Sequence, residues 1–186
     1  MSHKKDQRFV QSERSIVAAG IDTLLKNPYS SLSDVALAAG VGRATMYRHF
    51  ETRDALIKHI GRICMEDTVA ALAPTDGLYG RQALESAFDA LMPLANKYHF
   101  LINSWHIVVQ DEVVSRIDAQ QIGDLQELID QAKKIGVINN QHPTEWVAAC
   151  FDNLLIVAWS LVQEGKISSK DAAKYAKSTF FDGCGA

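Results

Sequence analysis

Cysteine is scarce in this 186-residue chain: Cys64, Cys150 and Cys184 are odd in number, far apart, and in no CxxC or Cys/His cluster. Such a set excludes a disulfide framework and a structural zinc site, and points to a reducing compartment, the cytoplasm. Glycine-rich phosphate loops and nucleophile elbows are missing too. Ser104 near His106 and Cys150 near Asp152 are fragments of triads with no oxyanion loop, so no catalytic residue is assigned. His99 and His106 lie seven apart on one helical face with Asp111 nearby, but no other element offers a further ligand, so no metal or cofactor is expected. Met1-Ser-His-Lys-Lys-Asp6 carries charge without the apolar run of an export signal. The longest apolar run, Trp146 to Val162, is shorter than the ~20 residues of a membrane span and holds Asp152 and Asn153 near its middle. Strand alternation, repeats and low-complexity linkers are also absent, which leaves helical periodicity and an all-α reading.

Charge is present but unevenly spread. Residues 1–62 hold 10 Lys/Arg against 6 Asp/Glu, net +4, and residues 63–186 hold 9 against 16, net −7. A basic N-terminal part on an acidic body suits a protein that meets a polyanion with one end only. The basic part also contains the most informative stretch, Leu32 to Phe50. Val35, Ala36 and Ala39 form an apolar stripe, and Gly40 follows as a left-handed stop. Val41 plugs the angle, Gly42 keeps the turn compact, and Arg43 to His49 restart as a second helix, a helix-turn-helix. The outward face of that second helix carries Arg43, Thr45, Tyr47, Arg48 and His49, donors suited to phosphates and base edges. Ala44 and the Thr45 methyl are small enough to approach thymine. Phe50 anchors the end, Thr52 caps the next helix, and Arg53 lies in its first turn.

Residues from about Ser15 to Leu56 resemble the DNA-binding domain of the TetR family of bacterial transcriptional regulators. The family's signature is matched here by Ala39-Gly40-Val41, Thr45, Tyr47, His49-Phe50 and Arg53. The resemblance implies that Thr45, Tyr47 and His49 meet the sugar-phosphate backbone, that Arg43 and Ala44 face bases, and that Arg53 holds a phosphate. Ser33 and Arg48 complete the candidate DNA-contacting set. One departure is local: members commonly have glycine after the first helix, where this chain has Asn27-Pro28-Tyr29. Asparagine tolerates the left-handed conformation, so the turn is expected to survive with altered shape.

The first helix is expected from Asp6 to Lys26, with Phe9, Ile16, Gly20 and Leu24 on one stripe. A fourth helix begins after Thr52 and uses Leu56, Ile60 and Ile63. Past a break at Pro74 to Gly80, helices are expected over Arg81 to Lys97, Tyr98 to Gln110, Val113 to Ile135, Pro143 to Glu164 and Ser168 to Phe181. About nine helices result, in a three-helix DNA-binding domain (residues 1–52), a connecting helix (53–72) and a ligand-binding and dimerisation domain (73–186).

The Trp146 to Val162 helix is apolar around most of its circumference and so needs burial on more than one side. Phe151, Leu154, Leu155, Ala158 and Val162 are assigned to the core. Ala149, Asp152, Asn153, Ile156, Ser160 and Gln163 are assigned to a partner subunit, together with Ala172, Tyr175, Ala176, Thr179 and Phe180 on one face of the last helix, in a two-fold four-helix bundle. The family is expected to dimerise in this way. Candidate effector-pocket residues are Phe88, Met92, Trp105, His106, Phe151, Leu155 and Trp159, within a larger aromatic set that includes Tyr98, Phe100 and Trp146. Gln121, Asn153 and Ser160 are possible polar anchors.

The expected function is a homodimeric, ligand-responsive regulator, a repressor by resemblance. It would bind a palindromic DNA operator and be released by a small apolar or amphipathic effector, with no membrane contact. Two other readings stay open: an effector-independent architectural DNA binder, and a small helical enzyme acting on an apolar substrate.

Overall fold

The computed structural model describes the backbone of residues 2–186 and the side chains of residues 13–186; Phe9 lies outside the described side chains. Among the described residues there are nine α-helices and no named strand: α1 (Ser2–Lys26), α2 (Leu32–Ala38), α3 (Arg43–His49), α4 (Arg53–Leu72), α5 (Gly80–Leu91), α6 (Ala95–Val108), α7 (Glu112–Lys134), α8 (Thr144–Gln163) and α9 (Ser169–Cys184). Their boundaries follow local chemistry. Ser31 caps α2 in a reciprocal capping box with Asp34, Thr52 accepts the Ala55 N–H at 3.1 Å at the start of α4, and Ser168 caps α9. Gly40, Gly136 and Gly165 adopt left-handed φ of 66°, 73° and 69° and end α2, α7 and α8 where any other residue would be strained.

One boundary falls elsewhere than expected. The helix read from Arg81 to Lys97 ends at Leu91, and a 3-10 turn over Met92–Leu94 leads into α6. Pro93 is the cause, since it has no N–H to donate and its ring crowds the carbonyl four residues back. Tyr98 therefore lies inside α6 and not at its start. The apolar helix is also longer than its apolar run: α8 spans 20 residues and is long and apolar enough, on those grounds alone, to cross a bilayer. Its inner side is buried at Val147, Phe151, Leu155, Ala158 and Trp159.

The chain divides into two compact units. The first comprises residues 1–64 and 100–114, the second residues 65–99 and 115–186. In the first, Ile16, Ile21, Leu24, Leu32, Val35, Met46, Phe50, Leu56, Ile57 and Ile60 are buried. Two glycines permit close helix approaches in this unit: a Cβ on Gly20 would stand 2.5 Å from Ile60, and one on Gly61 would stand 2.4 Å from Val108.

The second unit is built on an aromatic core. Phe88 lies 4.1 Å from Phe151 between ring centroids and 5.5 Å from Phe180, and Leu84, Ile129, Ile138 and Trp159 pack into the same cluster. The end of α9 is tied to the loop before α8. Asn139 N–H donates to the Cys184 carbonyl at 2.9 Å, and Ile138 forms an antiparallel bridge with Gly185.

Candidate functional site

The helix-turn-helix forms as expected. Met46 is fully buried and pins α3 to the unit's core, which turns Arg43, Ala44, Tyr47, Arg48 and His49 outward and leaves Thr45 half-exposed. Ser33 stands half-exposed in the first turn of α2. Arg48 is steadied within this face, its Nη2 donating to Thr45 Oγ1 at 3.1 Å. Asp34 stays below the ordinary carboxylate range chiefly because the Ser31 backbone N–H and hydroxyl donate to it, with Arg43 adding attraction. The face therefore presents cations and donors, and the acidic residue beside it is already engaged in a cap.

Arg53 occupies a position that spacing alone did not indicate. Its Nε donates to the Ser30 carbonyl at 3.1 Å, its Nη2 donates to the Pro28 carbonyl, and its Nη1 lies 3.8 Å from Asp54. The side chain thus braces the α1–α2 turn from α4. That turn also differs from expectation: among the described residues no residue other than glycine has positive φ. Asn27 instead shapes the turn with its side chain, Oδ1 accepting the Tyr29 N–H at 3.1 Å, while its carbonyl accepts the Ser30 N–H at 3.0 Å. An Asx turn replaces the left-handed residue.

The second unit holds a polar cluster at the edge of its aromatic core. Tyr98 of α6 stacks on Trp159 of α8, with centroids 3.9 Å apart and planes inclined by 24°, and the Trp159 indole N–H donates to the Met92 carbonyl at 3.1 Å. Thr68, fully buried in α4, donates to the Met65 carbonyl and accepts from Gln121 Nε2, both at 2.7 Å. Burial raises the pKa of the Tyr98 phenol, and the charges of Asp152 and Asp118 add to the rise.

Burial likewise lifts Asp118, and burial followed by the charge of Asp118 brings Asp152 to about 6. The Asp152 residue is exposed, so water screens part of this effect. Some acids of this unit have cations, Asp67 with Lys97 and Asp89 with Lys177. Among the described residues Asp118 and Asp152 have neither ion pair nor hydrogen bond. Unpaired carboxylates beside aromatic faces are destabilising by themselves and attractive to a cation.

The expected pocket residues are only partly brought together. Phe88, Met92, Phe151, Leu155 and Trp159 are buried together in the second unit. Trp105, half-buried, and His106, exposed, belong to the first unit. Asp118 and Thr68 were missed in the sequence. Asp118 lies one turn from Gln121 on α7, and Asp152 interrupts the most apolar helix, so a shared polar face was the available signal.

On α8, Ala149 and Asn153 are exposed and Ile156 and Ser160 half-exposed; Ser160 Oγ donates to the Ile156 carbonyl at 3.0 Å and stands 3.5 Å from His99 Nε2. Ala172, Ala176 and Phe180 are buried in their own subunit. They fill the space against α5 and α8, so a partner could reach α9 only through the opposite side, where Tyr175 is exposed. Trp146, Val157 and Tyr175 are 60%, 55% and 54% exposed, unusual for side chains of that size.

A helix-turn-helix with a cationic reading face, carried by an all-α chain with a separate helical body, defines a DNA-binding regulator. Residues 16–60 match the family model of bacterial regulatory proteins, tetR family. The HTH-type transcriptional repressor LfrR of Mycolicibacterium smegmatis is 26% identical over 163 residues, covering 87% of this chain and 80% of LfrR. The crystal structure of LfrR from Mycobacterium smegmatis in complex with proflavine matches with a TM-score of 0.78 at 21% identity, covering 96% of this chain and 99% of that one. A TetR family transcription regulator from Marinobacter aquaeolei matches with a TM-score of 0.78 at 16% identity, covering 97% and 98%. Residues 16–60 thus carry a TetR-type DNA-binding domain, and the chain is a DNA-binding transcriptional regulator similar over most of its length to a TetR-type repressor.

Proposed function

We propose that this protein is a homodimeric repressor that grips a palindromic operator with one α3 from each subunit and releases it when an amphipathic organic cation binds in the helical body. In this reading residues 1–52 read DNA, residues 53–72 connect, and residues 73–186 bind effector and partner. Arg43 and Ala44 face bases; Ser33, Thr45, Tyr47, Arg48 and His49 contact the backbone, with Arg53 holding the turn that presents α2. Ala149, Asn153, Ile156, Val157 and Ser160 meet their counterparts in the partner, joined by Trp146 and Tyr175.

The observation that carries the effector class is the pair of unpartnered carboxylates, Asp118 and Asp152, beside the Tyr98–Trp159 stack. A cation there neutralises both charges while its apolar surface lies on the rings. The relative LfrR supports the same reading, since its matched structure contains proflavine, an aromatic dye that is cationic at neutral pH. Release is then linkage: an effector that favours a conformation with poorly spaced reading heads weakens DNA binding by the factor by which DNA weakens effector binding.

Two measurements test the proposal. Selection from random duplexes should return two inverted half-sites about one helical turn apart. Calorimetry should show binding of tetraphenylphosphonium and none of tetraphenylborate, an anion of nearly the same shape. Equal binding of the two ions would refute the electrostatic role of the aspartates.

A further inference from the structure

The second unit contains a pair of cysteines that the regulatory reading leaves unused. Cys150 lies on the first half of α8 and Cys184 is the last residue of α9, 34 positions later. The two belong to one cluster: Cys184 is nearly fully buried in the core, and Cys150 packs against that core while keeping part of its surface in water. α8 and α9 are consecutive helices packed side by side, which brings the first half of α8 and the end of α9 to the same end of the pair and makes the two thiols neighbours. The backbone holds them in place, because the Cys184 carbonyl accepts the Asn139 N–H at 2.9 Å and the Ile138–Gly185 bridge fixes the following residue. The remaining cysteine, Cys64, is fully buried in the first unit.

We infer that Cys150 and Cys184 are a peroxide-oxidisable dithiol that closes an intramolecular disulfide between α8 and the end of α9. The order of events follows from exposure. Cys150 is the sulfur that a small oxidant reaches. Burial and the neighbouring Cys150 thiol raise the pKa of Cys184, which makes it a poor first nucleophile. The Cys150 sulfur attacks the O–O bond of hydrogen peroxide, becomes a sulfenic acid, and one water leaves. The Cys184 sulfur then attacks the Cys150 sulfur; the S–O bond breaks, the S–S bond forms, and the Cys184 proton leaves with the hydroxyl as a second water. Two thiols lose two electrons and peroxide becomes two waters. In a reducing cytoplasm the bridge would form only under oxidative challenge and reopen afterwards.

The test is oxidation of the full native chain with hydrogen peroxide, followed by quenching, blocking of remaining thiols with a maleimide and mass spectrometry. The expected result is a monomeric chain two hydrogens lighter with one blockable thiol, a tryptic cross-link joining the Cys150 and Cys184 peptides, and reversal by dithiothreitol. Thermal unfolding of the oxidised chain should shift upward by several degrees, since the cross-link restricts the unfolded chain. Cys184→Ser should stall at a dimedone-reactive sulfenic acid on Cys150, and Cys150→Ser should leave Cys184 unoxidised under the same dose. A cross-link involving Cys64, over-oxidation of Cys150 without a bridge in the native chain, or oxidation of Cys184 in Cys150→Ser would each overturn the inference. The native-chain result stands even where a serine variant fails to fold.

Discussion

Replacing Asp152 by Asn should stabilise the protein and weaken its response to cations, a pair of effects that an ordinary surface aspartate would not produce. The folded-state pKa of about 6 lies above the usual carboxylate value of 3.8, and burial is the largest cause. A carboxyl raised in this way favours the folded state only while protonated, so stability declines as pH rises from about 4 to about 6 and stays lower beyond. Two pH units correspond to about 3 kcal/mol at ~1.36 kcal/mol per unit. Asp152 keeps surface in water, however, and screening reduces this to ~1 kcal/mol. Asp152→Asn should therefore melt ~2 to 4 °C higher at pH 7 and match the parent below about pH 4. Tetraphenylphosphonium should bind the variant about tenfold more weakly, ~1.4 kcal/mol, because Asp118 retains part of the attraction. Denaturant melts at a series of pH values, with calorimetry on the same preparations, measure both quantities. A variant less stable at pH 7, or one with unchanged cation affinity, would refute the reasoning.

Three further outcomes are expected. Arg43→Ala should lose ~1 to 3 kcal/mol of operator affinity and relax preference at one base pair, while equal losses on operator and random DNA would make Arg43 a phosphate contact. Arg53→Ala should cost ~1 to 3 kcal/mol of stability in the first unit, from the lost bonds to the Pro28 and Ser30 carbonyls, with faster amide exchange around residues 28–34; an unchanged melt with lost DNA affinity would return Arg53 to the phosphate. Val157→Glu should give a folded monomer by sedimentation, whereas Ala176→Arg, placed in a position 4% exposed, should lower the melting temperature sharply.

Signals confined to a few neighbouring residues were legible in the sequence. The left-handed stop at Gly40, the Thr52 cap and the outward set on α3 each depend on local geometry, and the structure has them where expected. Pro93 interrupts a run whose apolar spacing continues through Met92 and Leu94, so periodicity alone carried the helix past its end. The faces of α9 were ambiguous because both sides offer small and aromatic residues, and only packing against Phe88 and Phe151 turns Phe180 inward. The Thr68, Tyr98, Asp118 and Asp152 cluster is drawn from α4, α6, α7 and α8, with no two members within a helical turn of each other. The local traces of it are Asp118 one turn from Gln121 and Asp152 within an apolar run, and neither points to the other.

The most direct measurement is the anisotropy of a fluorescein-labelled duplex carrying the selected operator, titrated with protein in the presence and absence of tetraphenylphosphonium. That ion is not planar, so it does not intercalate into the DNA as an acridine would. With the parent protein the cation should weaken operator affinity at least tenfold, with tetraphenylborate inert and the effect reduced in Asp152→Asn. Operator affinity that stays constant while calorimetry shows the cation bound would contradict the claim that this site controls DNA release.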